Sequence, residues 1–188
     1  GGGTLTLSGT TANTLTGNTA IMAGTLELNK TGATINSIAA GGTVYVGDNE
    51  GGDNADRLVW ASGLSGNQVQ IASNNVIVGT SGQVDHANVT EDVLGTLTLT
   101  VGETYSADVT SGASGETKAT AYAVNVRPGI NTAVAATISG TVDLGSGDKT
   151  FTVNISPGDV ELSVAATVVH TSGTVGLSKA GAGRMTLA

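Results

Sequence analysis

Apolar and polar residues alternate along the chain in short stretches that are separated by Gly, Asn, Asp and Ser. The clearest stretches are residues 4–7 (TLTL), 25–28 (TLEL), 43–46 (TVYV) and 96–99 (TLTL). Alternation with period two, rich in Thr and Val, predicts β-strands that bury one face. No stretch shows a 3.6-residue stripe long enough for a helix, so the pattern predicts an all-β protein.

One motif returns near the end of the chain. Residues 183–187 (GRMTL) restate residues 3–7 (GTLTL) at an offset of 180 positions. This predicts that 1–188 is a single segment with one repeat unit of about 180 residues. The next copy of the motif would start at 177–188.

A shorter duplication lies inside the segment. Residues 124–129 (VNVRPG) match residues 153–158 (VNISPG) at an offset of 29, and both prolines of the chain fall at the equivalent position. Pro-Gly marks a turn, because Pro fixes φ and Gly accepts a positive φ. The matches continue as AATI and AATV at 135–138 and 165–168, and as SGTV at 139–142 and 172–175. We therefore predict that 124–152 and 153–182 are internal duplicates.

Short strands that recur every 20 to 30 residues or so, without helices, favour a β-solenoid in which each coil stacks on the last. At roughly 22 residues per coil and a strand spacing of about 4.8 Å, the chain would form a rod about 40 Å long. Only 3% of the residues are aromatic, so we expect a core of stacked small aliphatic side chains. A β-sandwich is the competing fold, but it favours hairpins and an aromatic anchor, for which Trp60 is weak support.

Charge and composition narrow the classes of partner. Seven basic and fifteen acidic residues give a net charge of −8, which disfavours nucleic acid and anionic membranes as partners. No apolar run approaches the roughly 18 residues of a membrane-spanning helix. The absence of cysteine excludes disulfides and thiolate metal sites. The sequence begins without Met or a basic, apolar leader, and we expect it to start within a longer protein or after processing.

The first 30 residues contain three spaced motifs, GTLTLSG at 3–9, NTLTG at 13–17 and IMAGTLELN at 21–29, and residues 177–187 are LSKAGAGRMTL. Together they resemble the autotransporter-associated β-strand repeat, also called the passenger-associated transport repeat. Two extra residues before Asn13, Leu15 in place of a frequent Tyr and Met22 in place of a frequent Asn depart from its pattern. The resemblance implies a right-handed parallel β-helix on the surface of Gram-negative bacteria, with structural, adhesive or secretion-assisting roles and no catalytic residues.

The most site-like feature is the acidic loop at residues 47–58. Its second half, GGDNADRL at 51–58, approximates the calcium nonapeptide G-G-x-G-x-D-x-U-x, with Asn54 replacing the third Gly. Calcium needs six to eight oxygen ligands, and one copy of the motif supplies half of such a site. We therefore expect a solvated turn between Tyr45 and Trp60 and no cofactor, with calcium bound between Asp48 and Asp56 as the alternative.

Other polar residues offer no catalytic pattern. A Ser–His–Asp set from Ser81, His86 and Asp85 is disfavoured, because neighbouring residues on a strand point to opposite faces. We expect His86 and His170 to be exposed or at strand ends, and the pair Glu91-Asp92 to lie in a polar loop. Residues 111–116 (SGASGE) lack the Lys and hydroxyl of a phosphate loop and predict a flexible bend. We expect no catalytic, cofactor-binding or metal-binding residues, and no enzyme.

Both ends of the segment resemble ordinary strands rather than caps, and unpaired strand edges recruit further strands. A head-to-tail contact that does not close produces a filament. The leading hypothesis is an extracellular or cell-surface structural module that stacks end to end with further copies of itself. The alternatives are an adhesive passenger segment that binds glycans or surfaces, and a polysaccharide-degrading β-helix enzyme, which the dispersed carboxylates disfavour.

Overall fold

A computed structural model describes residues 2–32, 35–64, 68–90 and 92–188. Within these ranges the chain forms β-strands and no helix, so no helix there is long and apolar enough to cross a membrane. The strands are β1 (Thr4–Gly9), β2 (Thr19–Ile21), β3 (Gly24–Lys30), β4 (Val44–Val46), β5 (Asp56–Trp60), β6 (Val76–Val78), β7 (Gly82–Asp85), β8 (Val93–Val101), β9 (Asp108–Thr110), β10 (Lys118–Val126), β11 (Ala136–Asp143), β12 (Lys149–Val153), β13 (Leu162–Val169), β14 (Leu177–Ala180) and β15 (Met185–Leu187).

The strands alternate between two parallel sheets. The odd-numbered strands form an eight-stranded sheet in the order β1-β3-β5-β7-β9-β11-β13-β15, and the even-numbered strands form a seven-stranded sheet from β2 to β14. Each coil therefore contributes one strand to each sheet and stacks on the preceding coil. The prediction of an all-β parallel solenoid with several coils is confirmed. The β-sandwich alternative is wrong, because consecutive strands lie in different sheets and do not pair as hairpins.

The coils are longer than the sequence suggested. From Thr4 to Thr186 the odd-numbered sheet takes seven steps, a mean of 182/7 = 26 residues per coil, where we expected roughly 22. The longest step runs from Thr25 to Arg57, because this coil includes the acidic loop. Seven steps at about 4.8 Å give a stack about 34 Å high.

Inward-pointing residues form continuous aliphatic columns along the rod. One column of the odd-numbered sheet comprises Leu5, Leu26, Leu58, Val84, Val109, Ile138, Val164 and Leu187. Its six interior members, between Leu5 and Leu187, are buried. Because equivalent atoms pack one strand spacing apart, small side chains fill this thin core, and the burial of apolar area stabilises the stack.

Three of the five aromatic residues also lie in the core. Trp60, Tyr122 and Phe151 are at most 2% exposed. Tyr122 stacks on Phe151 in the next coil, and Trp60 stacks on His86, with ring centroids 4.3 Å apart in both pairs. The aliphatic columns are thus supplemented by two aromatic stacks, which the expectation of a purely aliphatic core missed.

The internal duplicate matches the strand register in one half only. Val124 pairs with Val153, the same 29-residue offset as in the sequence. Ile138, however, pairs with Val164, 26 residues later, because the turns of the two coils differ in length. The stacking of coils therefore follows the inward columns rather than the closest sequence match.

Glycines allow loops of successive coils to approach each other. A Cβ at Gly82 would lie 2.1 Å from the carbonyl oxygen of Val46, and one at Gly115 would lie 1.9 Å from that of Ala87. Atoms at these distances overlap, so the backbones can stack this closely only where a side chain is absent.

Candidate functional site

The N-terminal face of the solenoid, formed by β1, β2 and the loop between them, is apolar. Leu5, Leu15 and Met22 are 63%, 80% and 63% exposed there. They line a cleft of about 300 Å³ together with the buried residues Ile21 and Leu26. Both strands are edges of their sheets, so their outer N–H and C=O groups face away from the rod.

The C-terminal face, formed by β14 and β15, is the opposite edge of both sheets. Leu187 is 56% exposed at this edge. Lys179 occupies an inward position above Phe151 and donates a hydrogen bond to the carbonyl of Gly181. Arg184 is also exposed, and residues 170–188 contain no Asp or Glu. The two faces thus share apolar surface but differ in charge.

The acidic loop is attached to the following coil. Asn49 accepts a hydrogen bond from the amide of Thr80 at 2.9 Å, and its own amide donates to the Ser81 hydroxyl at 3.0 Å. Ser81 in turn donates to the Asp56 carboxylate at 2.6 Å. Asp56 is 2% exposed and lies in β5, so the expectation that it belongs to a solvated turn is wrong. The buried Ser81–Asp56 contact helps to fix β5 against the start of β7.

Three carboxylates of this region, those of Asp48, Glu50 and Asp56, border a cleft of about 360 Å³ beside Gly2 and Met22. The Asp48 carboxylate accepts a hydrogen bond from the Glu50 amide at 2.9 Å. Within the described ranges, no three His, Asp or Glu side chains are placed to share a metal ion. The calcium alternative between Asp48 and Asp56 gains no support from this geometry.

His86 directly follows the last residue of β7, as predicted for a strand end, but it is fully buried and not exposed. Its ring stacks on Trp60 at an interplanar angle of 20°, and neither ring nitrogen has a hydrogen-bond partner in the described structure. Burial disfavours the charged form and lowers the pKa of His86 to about 4. His170 follows the end of β13 and is exposed, as expected.

Glu91 lies outside the described residues. Asp92 lies between β7 and β8, as predicted for a loop residue, but it is buried rather than exposed to solvent. Its carboxylate accepts hydrogen bonds from the Trp60 indole and from the amides of Gln70 and Ile71. Burial raises the pKa of Asp92 to about 6, although these three donors act to lower it. Asp92 therefore anchors a loop and a core aromatic residue at one point.

Gln70 extends this buried polar cluster to the second coil. Its side-chain oxygen accepts from the Lys30 amide at 2.9 Å and from the Ser37 hydroxyl at 2.7 Å, and its side-chain nitrogen donates to the Lys30 carbonyl at 2.8 Å. These partners are 33 to 40 residues away. Sequence reasoning missed Gln70, because no local pattern distinguishes a polar loop residue that is buried by another coil.

The Ser81, His86 and Asp85 set is not a catalytic triad. The Ser81 hydroxyl donates to the Asp56 carboxylate. The Asp85 carboxylate accepts from the amide of Ala87, and its second oxygen lies 3.7 Å from the Arg57 guanidinium. His86 faces Trp60 and has no hydrogen bond to either residue. The 111–116 bend likewise uses its amides within the fold, since Gly112 donates to the carbonyl of Ala87 and Glu116 to that of Val89.

The ion pair around Lys118 is structural. Its ammonium lies 3.0 Å from Asp143 and 3.1 Å from Glu116. Burial would lower the pKa of Lys118, but these two carboxylates outweigh it and raise the pKa. Burial would also raise the pKa of Asp143, yet hydrogen bonds from Thr171 and Gly145 and the contact with Lys118 hold it below its ordinary value. Both groups therefore remain charged, and neither is poised for nucleophilic or general acid–base chemistry.

A third cleft of about 430 Å³ lies on the side of the rod. Asp53 and Asn54 of the acidic loop border it on one side, and Thr104, Tyr105 and Asp108 border it on the other. Both carboxylate oxygens of Asp108 already accept hydrogen bonds, one from Gln83 and one from Thr137. The cleft thus combines one half-buried aromatic ring with exposed hydroxyl and carboxylate groups.

These features define a class of protein: a parallel β-solenoid rod with edge strands at both ends and a core without a catalytic constellation in the described residues. Comparison with protein-family models, curated proteins and solved structures finds none that matches this chain.

Proposed function

We propose that this chain is a non-enzymatic structural module of an extracellular or cell-surface β-helical fibre or giant repeat protein. The module extends such a rod by stacking end to end with further copies of itself. The observation that carries this proposal is that both sheets run from the first coil to the last and finish in edge strands beside exposed apolar residues. Such edges favour pairing with another strand of matching direction.

The extracellular location is supported by the resemblance of residues 1–30 and 177–188 to the passenger-associated transport repeat. A cysteine-free chain with a net charge of −8 suits an oxidising exterior and disfavours binding to nucleic acid or anionic membranes. The partners of the module are accordingly other coils of the same kind.

The experiment is to measure the mass of the purified chain by sedimentation velocity over a wide concentration range and to image the same samples by negative-stain electron microscopy. Linear rods that lengthen with concentration support the module. Monomers at every concentration, including the millimolar range, contradict it.

A second candidate function is adhesion to glycans, and the side cleft beside Tyr105 favours it. Sugars stack on aromatic rings and hydrogen-bond to carboxylates and hydroxyls, which this cleft offers through Tyr105, Asp53 and Thr104. Glycan-array binding that is lost in Tyr105→Ala and retained in Tyr45→Ala, which changes an exposed tyrosine elsewhere, would support adhesion. A polysaccharide-degrading activity receives no such support, because no pair of described carboxylates faces this cleft with both groups free.

A further inference from the structure

The inward columns of the two sheets begin and end with residues of matching character. The column from Leu5 to Leu187 is aliphatic throughout. In the even-numbered sheet, one column runs through Thr19, Val44, Val76, Leu97, Tyr122, Phe151 and Lys179. It is polar at both ends and apolar in between.

We propose that β14 and β15 of one copy dock on β1 and β2 of a second copy in the register that continues these columns. Leu187 then lies against Leu5 of the second copy, and Lys179 lies against its Thr19. This inference rests on the proposed function and specifies its partner and its contact. Apolar surface meets apolar surface in one column. In the other, the Lys179 ammonium keeps its hydrogen bond to the carbonyl of Gly181 and lies beside the Thr19 hydroxyl.

The same register matches the charges of the two faces. The register of β15 on β1 is fixed by placing Leu187 opposite Leu5. In this register Arg184 lies opposite Gly2 of the second copy. Gly2 lines the acidic cleft of Asp48 and Glu50. An arginine placed there meets carboxylates, and an arrangement with opposite charges guides the two ends into one orientation.

The apolar contact supplies the main attraction. Leu5, Leu15 and Met22 on one face and Leu187 on the other are more than half exposed in the single chain. Pairing the faces removes these side chains from water, and the strand edges gain a row of main-chain hydrogen bonds at the same time. The contact is heterologous, so each added copy leaves a new free face and the assembly grows as a filament.

Cysteine cross-linking tests the register, since the natural chain has no cysteine. Thr186 and Thr4 are exposed and would be adjacent on the outer face, with Cα atoms about 4.8 Å apart, within the range of a disulfide. A mixture of Thr186→Cys and Thr4→Cys chains should form a disulfide-linked dimer on mild oxidation. A matched mixture of Thr186→Cys and Thr6→Cys places the two cysteines two residues out of register, with Cα atoms about 8 Å apart. This mixture should not form a disulfide-linked dimer.

A substitution on the N-terminal face tests the apolar contact. Leu5→Lys puts a charge at an exposed position of the single chain but at a buried position of the filament. It should weaken association by about tenfold or more, whereas Val134→Lys, at a 44% exposed position in mid-rod, should leave association unchanged. Circular dichroism would verify that both variants remain folded.

A charge exchange tests the acidic cleft. Arg184→Glu should weaken association, and adding Glu50→Arg in the second chain should restore it.

The outcomes separate this inference from the proposed function. Association with cross-links in the Thr6 register, or association indifferent to both Leu5→Lys and Arg184→Glu, overturns the contact while the structural module stands. Absence of association in the unmodified chain overturns both.

Discussion

The two ring stacks of the core have the same spacing but different surroundings. Tyr122 and Phe151 are directly paired residues of β10 and β12, with ring planes 3° apart, and aliphatic columns flank them. Trp60 lies at the end of β5 and His86 at the end of β7 in the next coil, and the two rings stack. The Trp60 indole also donates a hydrogen bond to Asp92. The first stack is held mainly by packing, with one long hydrogen bond from the Tyr122 hydroxyl to the carbonyl of Thr117 at 3.4 Å. The second is held by packing and by the buried Asp92 carboxylate, which accepts from the Trp60 indole.

The two stacks differ in their hydrogen bonds because different loops surround them. Gln70 and Ile71 lie between β5 and β6, and the Asp92 carboxylate accepts hydrogen bonds from the amides of both. A loop packed inside the solenoid carries polar backbone groups, and these need buried partners. An apolar column can position a strand, but it cannot satisfy the amides of such a loop. The buried polar cluster does so.

The largest effect is expected from Asp92→Ala. The substitution leaves the indole N–H of Trp60 and the amides of Gln70 and Ile71 buried without an acceptor. We expect a loss of about 5 kcal/mol in the free energy of unfolding, since each such donor costs about 1–3 kcal/mol. Urea denaturation followed by Trp60 fluorescence would measure it.

Two variants control this result. Asp92→Asn retains one acceptor oxygen and should lose about half as much stability. Asp53→Ala removes an exposed carboxylate from the acidic loop and should change the midpoint little. A small effect of Asp92→Ala would mean that the polar cluster does not hold the second stack.

Phe151→Ala is the matching test of the first stack. Phe151 is 1% exposed, and its removal leaves a cavity against Tyr122. We expect a loss of about 3–4 kcal/mol, the usual cost of a buried Phe→Ala change. Phe151→Leu fills most of the space and loses the ring contact, so it should cost about 1–2 kcal/mol. Equal losses for the two variants would show that cavity volume is irrelevant at this position.

The strands could be predicted from the sequence, but the lengths of the coils could not. Alternation in stretches such as 4–7 and 96–99 indicated strands directly, because a side chain that points inward recurs every second residue. Coil boundaries were not visible in the same way. The Thr25-to-Arg57 coil is longer than the others through its loops, and loop length leaves no trace in the strand pattern.

The polar interior could not be predicted for a related reason. His86, Asp92 and Gln70 lie outside or at the ends of strands, where polar residues are usually solvated. Asp92 and Gln70 are hydrogen-bonded to residues of other coils, 21 to 40 residues away, and His86 stacks on Trp60 of the preceding coil. Only the three-dimensional stack brings these segments together, so local sequence could not distinguish them from exposed residues such as His170.

The pH dependence of stability distinguishes the two partners of Trp60. The pKa of His86 falls from 6.5 unfolded to about 4 folded, so acidification from pH 6.5 to 4 protonates the unfolded chain first and destabilises the fold. The pKa of Asp92 rises from 3.8 to about 6, so between pH 6 and 3.8 the folded chain binds the extra proton and is stabilised. The two effects oppose each other over the same range.

His86→Phe should expose this compensation. Between pH 7 and 5, protonation of His86 in the unfolded chain lowers the free energy of unfolding by about 2 kcal/mol. Protonation of Asp92 in the folded chain raises it by about 1 kcal/mol, so the natural chain should lose less than about 1 kcal/mol in total. The Phe variant should instead gain about 1 kcal/mol on the same acidification. Urea midpoints at the two pH values measure this. A variant that still loses stability at pH 5 would contradict the buried neutral state of His86.

The smallest effect is expected on the outer face of the strands that carry the Trp60 stack. Arg57 Nε donates to Gln83 Oε1 at 2.7 Å, and Gln83 Nε2 donates to Asp108 at 2.9 Å, so one side chain links three coils. Gln83→Met keeps the side-chain length and removes both hydrogen bonds. Because the groups are partly solvated, we expect a loss of about 1 kcal/mol or less in urea denaturation. A loss comparable to that of Phe151→Ala would mean that these hydrogen bonds on the outer face, rather than the ring stacks in the core, align the coils.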